Sequence, residues 1–159
     1  MSINIILINI FLMFLVIGVI IYLAFGKKTK GNNTLISHLI LGLLIFQFIL
    51  GMLINLYVTI PKVKPYTVFH HFGLILFHAD IGLTLLSLSI LFFINTLRKR
   101  KSIILGLAGT IFILIAFMSG IVFVLFGTQN IFSLTMAIGF IGSILIYAYA
   151  FFSASFSNK

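Results

Sequence analysis

From Leu35 to Ile60 the chain runs without one Asp, Glu, Lys or Arg, and it does so again from Ile103 to Phe126. No other feature constrains the fold as strongly. A helical run of that length crosses the roughly 30 Å hydrocarbon core of a bilayer at 1.5 Å per residue. Within that core, backbone N–H and C=O groups must be satisfied by a helix or by a closed barrel. Barrel strands alternate apolar and polar residues, whereas these runs are apolar throughout. The expected fold class is therefore all-α: an up-and-down integral membrane bundle of five transmembrane helices in a single domain, residues 1–159. The expected spans are about Ile3–Gly26, Leu35–Ile60, Val68–Leu97, Ile103–Phe126 and Ile131–Phe152. Composition agrees. Hydrophobic residues make up 62% of the chain and charged residues 7%, against about 25% charged in soluble proteins.

The connections "KKTKGNNT", "PKVKP", "RKRKS" and "GTQN" are short, which leaves no room for a soluble domain. The net charge of +9 does not point to nucleic acid, because the basic residues cluster at the ends of apolar runs. Lys27, Lys28, Lys30, Arg98, Lys99, Arg100, Lys101 and Lys159 fall on one side of an odd-numbered bundle, and Lys62 and Lys64 on the other. The positive-inside rule puts the larger group in the cytoplasm and the N-terminus outside, in the cell membrane. The first span is expected to stay as an uncleaved anchor, since its basic residues follow the apolar run. Tyr22, Tyr57, Tyr66, Tyr147 and Tyr149 lie near span ends, where an interfacial aromatic belt is expected.

Chemistry concentrates in "HHFGLILFHAD", residues 70–80, which holds His70, His71, His78 and Asp80, the one acidic residue of the chain. At about 100° per residue this span carries two polar stripes. His71, His78, Gly82 and Ser89 form one, and Gly73, Asp80, Thr84 and Ser87 the opposite one. Two polar faces in lipid imply protein on both sides, so this span is expected at the centre of the bundle. The plain alternative is that these groups only hydrogen-bond neighbouring helices.

Short loops make neighbouring spans antiparallel, so residues at equal depth can be paired by index. Residue 79 then faces Gln47, and His71 faces Asn55. His38 falls far from His78, which argues against a haem shared between them in one protomer. Met13 and Met136 meet the level of His78, and Met52 and Met118 lie within a turn. His with Met is an axial pair for haem iron and also suits Cu(I). The expected cofactor is one b-type haem, with copper as the alternative. Its candidate ligands are His78 first, then His71, His38 from another protomer, Met13 and Met136; His78 and His71 are the candidate metal ligands. Asp80 lies near mid-membrane, where a charged carboxylate costs about 2.5–3.5 kcal/mol on insertion scales. A neutral acid hydrogen-bonded to Gln47, or else to Ser119, is expected there, and Asp80→Leu is expected to cost about 1–3 kcal/mol by stranding that partner.

Three stretches carry a resemblance: "HLILGLLIFQFILGMLINLYVTIP", "HHFGLILFHADIGLTLLSLSIL" and "SLTMAIGFIGSILIYAYAFF". In them the chain resembles an uncharacterised family of small multi-span membrane proteins of bacteria and archaea. The resemblance implies a fold and no established activity. The family's fourth span tends to carry Asn-Gly where this chain has Ser119 and Gly120. Histidines in a small bundle also look, more distantly, like b-type membrane cytochromes and the haem A synthase group. The chain has no glutamate, so it lacks the latter group's signature.

Cysteine is absent, which excludes disulfides, thiolate metal sites and iron–sulfur clusters. No phosphate loop, nucleophile–base pair, carboxylate pair or HExxH motif is present, so hydrolytic activity has no residues to rest on. The expected function is a small membrane subunit of an electron-transfer or respiratory complex, without catalytic activity of its own. A cofactor-free packing subunit and a Cu(I)-handling protein are the alternatives. Expected partners are the lipid bilayer and other membrane subunits or further copies of the chain. The small-residue pairs Gly139/Ser143 and Ala150/Ala154 are expected to permit close helix contact.

Overall fold

The computed structural model describes residues 32–57, 73–100, 102–126 and 130–156. They form four helices: α1 (Asn32–Tyr57), α2 (Gly73–Lys99), α3 (Ile103–Phe126) and α4 (Asn130–Phe156). All four are long and apolar enough to cross a membrane. The protein is thus an all-α membrane protein, and α1 to α4 correspond to the second to fifth expected spans. The first expected span, with Met13, lies outside the described residues, as do His71, Tyr22 and Tyr66.

Helix ends follow the local sequence. α2 closes with Arg98 and Lys99 in its last turn, where cations complement the helix dipole. Arg100 and Ser102 then both take positive φ, 50° and 58°, a conformation that costs non-glycine residues about 1–2 kcal/mol each. In return the chain reverses at once: Arg100 N–H donates to the Leu97 carbonyl, and Gly106 N–H donates to the Ser102 carbonyl.

The helices pack in chain order, α1 on α2, α2 on α3 and α3 on α4, and α4 closes back onto α1. The expectation that the His78 helix sits at the centre needs correction for the described bundle. α2 packs on two neighbours, as each of the others does, although its buried share is the largest of the four. Its Phe92 ring also reaches across, meeting Tyr147 of α4 edge-on with centroids 5.4 Å apart.

Each helix turns one stripe inward. On α1 the stripe is Ile36, Ile40, Leu44, Gln47 and Gly51. On α2 it is Ile75, His78, Gly82, Leu85, Ser89, Phe92 and Thr96, spaced alternately three and four residues apart, as a coiled-coil seam is. The core is built from Ile36, Ile40, Leu44 and Leu50 of α1, Ile81, Leu85, Leu88, Leu91 and Phe92 of α2, Ile113 of α3 and Tyr147 of α4. Lipid tails are as apolar as Leu, so close van der Waals contact has to hold such helices together. Glycine supplies it between α3 and α4. A Cβ at Gly139 would stand 2.8 Å from the Ala116 nitrogen and the Phe112 carbonyl oxygen, and one at Gly142 would meet the Phe112 ring. The close contact expected around Gly139 and Ser143 is present; the Ala154 side chain is outside the described set.

Candidate functional site

Two polar layers cross the bundle at different depths. The first is built on His78. Its imidazole extends from the α2 seam to α1, and its Cε1 lies 3.4 Å from where a Cβ at Gly51 would stand. One turn along α1, Gln47 Nε2 donates to the backbone carbonyl of His78 at 2.9 Å. Gly82, one turn from His78 on α2, leaves space for that amide: a Cβ there would lie 3.5 Å from Gln47 Nε2 and 3.3 Å from the Phe117 ring of α3. Two atoms of the layer, His78 Nδ1 and Gln47 Oε1, are buried without a hydrogen-bond partner. On the far side of the bundle, Met136 of α4 rests its sulfur against Gly120 of α3, 3.6 Å from a Cβ placed there. One turn along α4, Phe140 stacks on Phe48 of α1 at 5.3 Å, which fixes α4 at the same depth.

Pairing residues by depth thus succeeds. Gln47 was matched to residue 79 and bonds residue 78. The methionines divide: Met136 is half-buried, whereas Met52 and Met118 are 50% and 49% exposed on the surface of the described bundle. His38 lies at the opposite end, about 20 Å from Gly51 along α1 at 1.5 Å per residue. It is exposed, its Nδ1 lies 2.6 Å from the Thr34 carbonyl, and its ring meets Phe151 edge-on. Asn55 is exposed.

Asp80 departs from expectation. Neither Gln47 nor Ser119 bonds its carboxyl; the Gln47 amide goes to the His78 carbonyl instead. The reason is geometric, since Asp80 is on the stripe opposite His78 and Gln47 lies against the His78 side. The rest of that second stripe is satisfied within its own helix. Thr84 donates to the Asp80 carbonyl and Ser87 to the Leu83 carbonyl. These two hydroxyls therefore cross to no neighbouring helix.

The second layer is built on Tyr147, expected in an interfacial belt and found fully buried. Tyr149 and Tyr57, at 61% and 78% exposure, do lie at the surface. Tyr147 seats its ring over Gly109 of α3, where a Cβ would come within 2.8–3.0 Å. Its hydroxyl faces Thr110 and Ser89 without meeting full hydrogen-bond geometry to either. Thr110 donates across to the Ser89 carbonyl at 3.0 Å and along its own helix to Gly106 at 2.9 Å. Ser89, Ser143 and Thr96 are fully buried and donate to carbonyls of their own helices. The sequence signal for Tyr147 was present: it follows Gly139 and Ser143 at four-residue steps on one small-residue face.

No family model, curated protein or solved structure matches the chain. The resemblances drawn from the quoted stretches therefore rest on those residues alone. Among the described residues no group of three or more His, Cys, Asp or Glu side chains is placed to hold a metal ion. A ligand set would have to combine His78 with a thioether or with residues outside the described set.

Proposed function

We propose that this protein is a small integral subunit of an electron-transfer assembly in the cell membrane, with five spans, its N-terminus outside and its C-terminus in the cytoplasm, and that His78 holds one b-type haem. One observation carries the reading: His78 lies on the inward seam of α2 with Nδ1 buried and unpartnered. A histidine serving only as helix glue would spend its ring nitrogens on neighbouring groups. A ligating histidine keeps one nitrogen for the metal and needs an acceptor for the other. The donor chemistry fits the group. The His78 imidazole and, at the same depth, the Met136 thioether are donors that haem iron takes and would hold the group, and helical bundles build such sites from side chains on facing helices.

Bound haem would supply one-electron transfer to and from partner subunits. The chain's own contribution is to bind and shield. Gly51 admits the imidazole between α1 and α2, and the apolar seams on either side keep water from the site. His71 and Met13 remain further candidate ligands. His38, exposed at the far end of α1, stays a candidate only from another protomer, and Met52 and Met118 lie on the surface of the described bundle.

The test is an absorption spectrum with metal analysis of protein purified from haem-replete cells. A b-type spectrum is expected, lost in His78→Ala and kept in His38→Ala. A colourless preparation that also lacks copper would favour the second reading, a cofactor-free packing subunit. That reading draws its support from the close glycine–aromatic packing of the Tyr147 layer. Copper without haem would favour Cu(I) handling.

A further inference from the structure

Resting on the reading of His78 as a ligand, we infer that Gln47 is its positioning residue: Gln47 Oε1 accepts a hydrogen bond from His78 Nδ1–H and so leaves Nε2 as the ligating nitrogen. The amide is already tied to that residue, because Nε2 of Gln47 donates to the His78 backbone carbonyl at 2.9 Å. The other end of the same amide, Oε1, is buried and unpartnered, and so is His78 Nδ1. These two orphans are complementary. An amide oxygen can only accept, and a neutral imidazole protonated on Nδ1 has a proton there to donate. Two unmatched polar atoms in an apolar interior are costly apart and inexpensive together. The final torsion of a glutamine side chain is broad; Oε1 and Nε2 turn about it together, so the amide meets ring and carbonyl at once through a small turn shared with the torsions nearer the backbone.

The surroundings are shaped for this pair. Gln47 and Gly51 are one turn apart on the inward stripe of α1. Gly51 takes the imidazole edge, and Gly82 of α2 leaves space beside the amide nitrogen. A Cβ at either glycine would already touch the ring or the amide, at 3.4 Å and 3.5 Å. No other described side chain is hydrogen-bonded to either group. The tautomer follows from the acceptor: a proton held on Nδ1 puts the lone pair on Nε2, the nitrogen that a ligated ion would use.

The decisive measurement is the tautomer of His78, read by nitrogen-15 NMR on histidine-labelled apo-protein in lipid nanodiscs. Wild type is expected to show Nδ1 protonated and Nε2 bare. Gln47→Met keeps the length and removes the acceptor, and is expected to give a mixture of tautomers. Gln47→Glu, neutral in the membrane, can donate to the carbonyl with its O–H and accept with its other oxygen, and is expected to restore the wild-type signal. Haemin titration of the same samples is expected to show a 10–100-fold loss of affinity in Gln47→Met, the usual effect of removing such a partner, and recovery in Gln47→Glu. A wild-type ring protonated on Nε2, or a tautomer unchanged in Gln47→Met, would overturn the inference. Should Gln47→Met fail to fold, Gln47→Asn, one methylene too short to reach, takes its place. A tautomer that depends on Gln47 in a protein that binds no haemin would uphold the positioning role and reject the haem reading.

Discussion

The His78 layer and the Tyr147 layer belong to the same four helices and are held together differently. In the Tyr147 layer the side chains fit as if cast. Tyr147, Ser89, Ser143, Thr96, Ile36 and Ile40 are fully buried. Gly109 in this layer, with Gly142 and Gly139 between it and the His78 layer, brings α3 and α4 closer than any Cβ would permit. Its serines and threonines spend their hydroxyls on nearby carbonyls. In the His78 layer the glycines are less tightly enclosed, a Cβ meeting side chains at 3.3 Å at Gly82, 3.4 Å at Gly51 and 3.6 Å at Gly120. A donor–acceptor pair is left unused there. The difference separates scaffold from site. Both layers leave buried polar atoms over, the Tyr147 hydroxyl in one and His78 Nδ1 with Gln47 Oε1 in the other, but the pair left in the His78 layer is a complementary donor and acceptor.

The comparison breaks first at Gly139. Gly139→Leu would drive a side chain into the α3 backbone and is expected to cost about 3 kcal/mol or more, the upper range of overpacking. Thermal unfolding in detergent would measure it, and a change under about 1 kcal/mol would remove the scaffold role from the close α3–α4 contact between the two layers. Tyr147→Ala comes close behind, at about 3–5 kcal/mol for a large buried aromatic. Tyr147→Phe sharpens the point: the hydroxyl lacks a well-formed bond, so its loss is expected to change stability by less than about 1 kcal/mol. His78→Ala should behave in the opposite sense, with a modest stability loss of about 1–2 kcal/mol and complete loss of haem absorbance. Equal losses of stability at His78 and Tyr147 would erase the distinction between the layers. The smallest effects are expected at Asp80 and Gly120. Because Gln47 bonds the His78 carbonyl and not the carboxyl, Asp80→Leu and Asp80→Asn are both expected within about 0.5 kcal/mol of wild type. Gly120→Ala, with only the Met136 sulfur nearby, is expected to be neutral or to stabilise by about 0.5–1 kcal/mol.

Sequence alone was enough for the four described helices, their antiparallel order and the depth at which their residues meet. Continuous apolar runs allow no other backbone in lipid, and short loops leave little freedom in register. That is why Gln47 could be placed beside residue 79 from the sequence, and it bonds residue 78. Rotation of each helix about its axis was less legible. Apolar residues surround α1, α3 and α4, because lipid and core are equally greasy, so the pattern that marks an inward face in water is faint here. Tyr147 consequently read as an interfacial residue, Met52 and Met118 could be given a depth and not the outward direction they take, and Asp80 was given a partner that lies against the other face. On α2, where histidine, glycine, serine and threonine interrupt the apolar run, the seam of His78, Gly82 and Ser89 was visible in the letters. Which nitrogen of His78 is left over, and that Gln47 spends one end of its amide and keeps the other, depend on ångström-scale contacts between helices that residue order does not encode; only the packing decided them.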